Sequence, residues 1–202
     1  MITVINVIKH PKGSIQKRST TKHINKSNLG QSLEDDLNIT NQHYRNQKLA
    51  LVYKKPTPVQ VVQVDFPKRS AAKIIEAYYK LPSTTDYNGL CQGVPIDFEA
   101  KQTTNLTRFP LAMIYQHQID HLRAVNQHGG ISFLIIRFSA KDETYFIDFK
   151  DFDEFLKTST RQSIPYRWFE KNATLLETTY HAPCHYYPEM IKLINKRKET
   201  SQ

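Results

Sequence analysis

Cysteine is scarce: Cys91 and Cys184 are the only two in 202 residues, too few and too far apart for a disulfide framework. Free thiols in a reducing compartment are expected. No apolar run reaches the roughly 18 residues of a membrane helix, and Met1 to Ile8 is too short and too poor in following small residues for a secretory core. A cytoplasmic protein without a membrane partner is the expectation. Acidic residues are absent from Met1 to Leu33, where Lys9, Lys12, Lys17, Arg18, Lys22 and Lys26 stand unopposed. Those six charges amount to two-thirds of the +9 surplus. Residues 1–31 also lack hydrophobic periodicity, so they read as a basic tail, disordered until something anionic is bound.

What is present describes a globular protein. A hydrophobic fraction of 39% with 11% aromatics suits one core, and the length favours a single domain over residues 32–202. With 28 basic against 19 acidic residues, a polyanionic partner is indicated, nucleic acid being the commonest. Ribosome-bound and membrane-surface proteins share that balance, so charge alone does not choose.

Order begins at Ser32, an N-cap candidate before Leu33-Glu34-Asp35-Asp36, whose acids complement a helix N-terminus. Leu33, Leu37 and Tyr44 share a stripe of a helix running to about Gln47. Glu34 lies beside that stripe as a candidate supporting acid, although a first-turn Glu also serves the helix dipole. Leu49 to Tyr53 reads as a short strand. Residues 54–80 then form two β-capable runs, Val59 to Phe66 and Ala71 to Leu81, around the basic turn Pro67-Lys68-Arg69-Ser70. Lys54, Lys55, Lys68, Arg69, Lys73 and Lys80 outnumber Asp65 and Glu76, and aromatics are interleaved. The composition suits an arm entering between nucleic-acid strands, and equally a plain hairpin in the main sheet.

The chemistry is expected between Thr84 and Lys101. Asp86 precedes Glu99-Ala100-Lys101 by a hairpin's length, with Asn88-Gly89 and Gln92-Gly93 as turn signals. On an extended run Glu99 and Lys101 project to one face, while Phe98 and Ala100 project to the other, toward a core. A returning strand that brings Asp86 alongside gathers two carboxylates and an ammonium. Two hard oxygen anions can hold Mg²⁺ against a phosphate oxygen, and a lysine can offset charge developing on the phosphorane. The pattern resembles the PD-(D/E)xK nuclease motif, with Thr85 where Pro is frequent. Asp and Glu-x-Lys also meet at this spacing by chance. Asp97 shares the Glu99 parity, as a third acid or as a solvating charge at the strand edge.

Beyond the motif, a helix is expected over about Tyr115 to Gln127. It carries His117 and His121 at a zinc-compatible spacing without further ligands, and Gln118, whose amide oxygen suits a hard metal. Ile131 to Phe138 reads as a central strand paired with Thr144 to Phe149. Asp151 to Thr158 reads as a helix, and Pro188 opens a closing one. His181, Cys184 and His185 lack a fourth ligand for zinc, and residues 161–176 resist assignment.

Six blocks in order carry a more specific signal: Leu33-Glu34-Asp35-Asp36-Leu37-Asn38, Lys54-Lys55-Pro56-Thr57-Pro58-Val59-Gln60, Pro67-Lys68-Arg69-Ser70-Ala71-Ala72, Ser83-Thr84-Thr85-Asp86-Tyr87-Asn88-Gly89, Asp97-Phe98-Glu99-Ala100-Lys101 and His117-Gln118-Ile119. Together they resemble the RecU family of bacterial Holliday junction resolvases from about residue 30 onward. The resemblance implies an α/β, restriction-endonuclease-like mixed sheet flanked by helices, with a protruding hairpin stalk. It also implies a homodimer and metal-dependent endonuclease cleavage of four-way junction DNA in recombination and repair. By position it makes Thr84, Asp86, Glu99 and Gln118 the metal-site residues, and Lys101 the transition-state stabiliser. Mg²⁺ is the implied cofactor, with Mn²⁺ as an alternative. Lys54, Lys55, Lys68, Arg69 and Lys73 are the candidate DNA contacts, and a recombinase or branch-migration helicase is a candidate protein partner.

Three other readings compete: a nuclease of the same fold cutting another DNA, a non-catalytic DNA-binding recombination regulator, and a ribosome-associated RNA binder. Metal dependence separates the nucleases from the others. A comparison of four-way junction with linear duplex separates the two nucleases.

Overall fold

The computed structural model describes residues 32–80 and 84–200. The basic tail expected over residues 1–31 lies outside the described residues. In chain order the elements are α1 (Leu33–Asn46), β1 (Leu51–Lys54), β2 (Val59–Asp65), β3 (Lys73–Tyr79), β4 (Tyr87–Cys91), β5 (Val94–Thr103), β6 (Arg108–Pro110), α2 (Gln116–Gln127), β7 (Ile131–Phe138), β8 (Glu143–Asp148), α3 (Phe149–Thr158), β9 (Ser163–Pro165), α4 (Tyr166–Asn172), β10 (Thr174–Leu175) and α5 (Tyr187–Thr200). Six strands make one mixed sheet in the order β1-β4-β5-β7-β8-β10, in which only β5 and β7 run parallel. This is the α/β architecture expected, a mixed sheet with helices packed against it.

Ser32 caps α1 reciprocally: its hydroxyl accepts from Asp35 N–H, and the Asp35 carboxylate accepts from Ser32 N–H. Leu33, Leu37 and Tyr44 are buried along the expected stripe. Asp36 does more than favour the dipole, because it is buried against Arg137 of β7 at 2.6 Å and so ties the helix to the central strand. The first strand falls at Leu51–Lys54, two residues past the expected start, since Leu49 N–H still bonds back to Tyr44 O at the helix end.

β7 is buried along its whole length. Alternation sends Phe133 and Ile135 to the side covered by α1 and α5, and Leu134, Ile136 and Phe138 to the side covered by α2, α3 and α4. On the first side Tyr87, Phe98 and Phe133 stack at 4.7 and 4.6 Å across β4, β5 and β7. That row pins the register Tyr87↔Phe98↔Phe133. Phe98 faces this core, so Glu99 faces the other side, toward α2.

The β4–β5 reversal is made at Gln92-Gly93, where both residues have positive φ, as a two-residue hairpin turn requires. Asn88-Gly89 is not a turn but lies within β4. Gly89 is needed there for close strand approach, because a Cβ would come within 2.9 Å of Val52 Cα on β1. Residues 161–176 resolve into β9, which pairs with β6, then α4, then β10 at the sheet edge.

β2 and β3 form a separate antiparallel hairpin with a register irregularity between Val61 and Val64, and a short 3₁₀ turn over Arg69–Ala71 at its tip. Every residue of both strands is exposed, including Val62, Val64, Ile74, Ile75, Tyr78 and Tyr79. The hairpin is therefore an exposed arm and not part of the main sheet.

Candidate active site

Strand register assembles the site. Tyr87 opposite Phe98 places Asp86 beside Glu99 just past the end of the β4 ladder. Asp86 N–H donates to Glu99 Oε2 at 3.1 Å. Lys101, two residues along the same face of β5, contacts Glu99 Oε1 and lies 3.6 Å from Asp86 Oδ2. The three groups expected to converge therefore do. Glu99 is fully buried, whereas the Asp86 side chain keeps 34% of its exposure, so the pair opens toward solvent on the aspartate side.

One ammonium offsets one carboxylate, leaving the second in excess. Burial above all, with the adjacent Asp86 adding to it and Lys101 working against it, pushes the Glu99 carboxyl up to about 8. Burial disfavours the Lys101 charge too, but the carboxylates of Glu99 and Asp86 more than compensate, so its net shift is upward. A buried carboxyl that would give up its proton to a bound cation, beside a solvent-open aspartate, is a donor set suited to a hard divalent cation. Among the described residues no three His, Cys, Asp or Glu side chains gather as ready metal ligands. The centre is thus two carboxylates, with the remaining positions falling to neutral oxygens, water or substrate.

Thr84 is half-buried two residues before Asp86. Gln118 is buried near the start of α2, where its Oε1 accepts from Tyr115 N–H at 3.0 Å in a capping arrangement. That bond leaves one amide lone pair for a ligand role. Glu34 pairs with Lys54, and both line a cavity of about 300 Å³ together with Asp86, Tyr87, Ala100 and Gln102. Ala100 and Gln102 have the parity opposite to Glu99, so this cavity lies on the α1 side of the sheet and Glu34 meets the site only by way of Asp86.

The basic residues divide. Lys68 and Lys73 stand exposed on the arm. Lys54 is held by Glu34, and Lys55 turns inward, its ammonium 2.9 Å from Asp97 Oδ2 and 3.1 Å from Thr85 Oγ1. Lys54 and Lys55 are thus each paired with a carboxylate at the foot of the arm. Asp97 is neither a third acid of the open pair nor a solvated edge charge, being buried among Lys55, Thr85 and His121. Sequence parity placed Asp97 on this face but gave no sign of its cation.

Neither histidine pattern forms a zinc site among the described residues. His121 Nε2 lies 3.2 Å from Asp97, and His117 stacks on Tyr115. Cys184 takes a hydrogen bond from Arg137, His185 meets the Tyr44 hydroxyl, and His181 stacks on His43. Burial raises the thiols of both Cys91 and Cys184, which disfavours the nucleophilic, metal-binding thiolate. No helix among the described residues is long and apolar enough to cross a membrane.

The raised Glu99 carboxyl makes a stability prediction. Folded Glu99 holds its proton more tightly than the unfolded chain does, so its contribution to metal-free stability is lost as pH rises from the ordinary carboxylate range through about 8. Glu99→Gln should flatten that slope. At pH 8 to 9 without metal the variant should be more stable than wild type by on the order of a few kcal/mol. Parallel denaturant titrations at pH 6 and pH 9 check this, and equal slopes in the two proteins would remove the excess-charge account.

Comparison with known proteins covers the same stretch of chain. A profile of the family described as Recombination protein U matches residues 28–192. The chain is 46% identical over 194 residues to the Holliday junction resolvase RecU of Oceanobacillus iheyensis, covering 91% of this chain and 98% of that protein. It is 46% identical over 192 residues to that of Geobacillus sp. strain WCH70, covering 89% and 94%. It is 50% identical over 163 residues to that of Bacillus cereus strain B4264, covering 79% and 82%.

Proposed function

The chain belongs to the RecU (Recombination protein U) family, and from that premise we propose that it resolves Holliday junctions by hydrolysing DNA phosphodiesters at the Asp86–Glu99–Lys101 centre. The observation that carries this reading is the convergence of a buried glutamate, a solvent-open aspartate and a lysine on one end of β4 and β5.

A divalent cation, Mg²⁺ or Mn²⁺, would be held by Asp86 and Glu99, with Thr84 and Gln118 as neutral oxygens, and would supply Lewis-acid polarisation of the phosphate. The protein does the rest. Glu99 is fixed by the Asp86 N–H, so its carboxylate cannot swing away from its partner. Lys101, held by both acids, presents a cation where charge accumulates on the non-bridging oxygens and can position the attacking water. The exposed arm supplies the structure preference. A two-stranded ribbon with apolar residues on both exposed faces is marginal by itself in water, which favours a role completed by DNA. A homodimer follows from the task, since two nicks related by a two-fold require two identical sites.

The test is a cleavage assay on a four-way junction and on a linear duplex of the same arms, with and without Mg²⁺. Symmetric nicking of the junction alone, and only with metal, is expected. Cutting of both DNAs would make this a duplex nuclease, and binding without cutting a regulator. The tail gives a separate expectation: deleting residues 1–30 should flatten the slope of log K against log salt for duplex DNA by a few units, because its six cations release counterions when they meet phosphates. An unchanged slope would take the tail off the DNA.

A further inference from the structure

Asp97 is the meeting point of four chain segments that each carry a different part of the proposed machinery. Its carboxylate contacts Lys55 at the foot of the arm, Thr85 immediately before Asp86, and His121 of α2. It sits two residues before Glu99 on the same face of β5, and His121 lies one helical turn beyond Gln118. Lys55 adds a second link, because its backbone N–H donates to Asp86 O at 2.8 Å while its ammonium bridges Thr85 and Asp97. The segment from Lys55 into β2 is Lys55-Pro56-Thr57-Pro58, in which two prolines fix φ and leave little slack. Pro58 O in turn accepts from Lys80 N–H at 3.0 Å, clamping the outgoing and returning ends of the arm together. A displacement of the arm's foot is therefore delivered to the residues flanking Asp86.

We propose that Lys55 and Asp97 are positioning residues that couple the arm to the cation site, so that seating the arm in a four-way junction improves the placement of Asp86 and Glu99 and raises the rate of the chemical step as well as the affinity. The arrangement suits coupling better than simple rigidity. The Lys55 side chain is 21% exposed and its ammonium bonds Thr85 and Asp97 rather than Glu99 or Lys101, so removing it loosens the loop without removing a ligand. Coupling of this kind is reciprocal: if the junction helps the cation site form, the cation site helps the junction bind. The inference rests on the resolvase reading given above.

The experiment compares wild type with Lys55→Met, Asp97→Asn and the double variant. Ca²⁺, the probe cation, is titrated calorimetrically into each protein bound to a four-way junction and, as the control for cation binding by phosphates, to a linear duplex of equal phosphate number. In wild type the junction should strengthen Ca²⁺ binding roughly fivefold over the duplex, and in Lys55→Met the ratio should fall to about one. Single-turnover cleavage at saturating junction should drop by about tenfold or more in each single variant, with junction affinity measured without metal changed less than about twofold, and the double variant should be no slower than the slower single one, as expected for residues acting through one link. A ratio that survives in Lys55→Met overturns the proposal. So does an unchanged rate at saturation with weakened junction binding, which would make Lys55 a phosphate contact, and so do additive rate losses in the double variant. Wild type that fails to cut junctions would instead sink the resolvase reading itself, whereas cutting wild type with an equally active Lys55→Met sinks only this inference.

Discussion

Asp86→Ala and Glu99→Ala should each abolish junction cleavage while leaving junction binding close to wild type. The two carboxylates are the only acids of the open pair, and the cation they would hold supplies several kcal/mol of transition-state stabilisation. Its loss corresponds to a rate reduction of roughly a thousandfold or more. Affinity should survive because it comes chiefly from phosphate contacts made by cations elsewhere, among them Lys68 and Lys73 on the arm. The measurements are single-turnover cleavage in Mg²⁺ and a metal-free binding titration. Near-wild-type cutting by either variant would sink the site. Lost binding in both would mean that the acids hold the fold. The Glu99→Gln stability comparison separates that outcome, since that variant is expected to fold better than wild type without metal at alkaline pH.

The second large effect belongs to the arm. Replacing Lys68 and Arg69 by Ala, or shortening the turn between Phe66 and Ala71, should weaken junction binding by roughly tenfold or more and duplex binding only slightly. A duplex presents phosphates everywhere, whereas a branch point presents an opening that a two-stranded ribbon can enter. Both strands of the arm are exposed on every residue, so its contacts with the rest of the described chain are confined to its foot. Altering its tip should therefore leave metal binding and thermal stability near wild type. Salt-matched titrations of junction and duplex read the difference, and equal losses on both DNAs would reduce the arm to a general phosphate contact.

Much of the scaffold of this site is written locally. Ser32 with Asp35, the positive-φ pair Gln92-Gly93, the unbroken apolar run of β7 and Pro188 at the start of α5 all act over a few residues, and alternation along β5 suffices to put Glu99 and Lys101 on one face away from Phe98. The six ordered blocks then carried the family, because short motifs in fixed order are a property of the sequence itself. What local signals could not decide was which partners meet across the sheet. Asn88-Gly89 has the composition of a turn, yet tertiary pairing of β4 with β1 holds it extended and uses the glycine for close approach. Lys55 reads as one more arm cation and Asp97 as one more acid, and each is neutralised by the other across 42 residues of chain. Only folding brings them together: inside the domain, desolvation makes an unpaired charge costly, so pairing outweighs solvation. The same desolvation raises Glu99 while Asp86, one side open to water, remains accessible. The sequence by itself determined which residues could do the chemistry and on which face of their strand they lie. The tertiary structure decided which charges are spent on each other and which are left for a cation and DNA, because that division depends on burial.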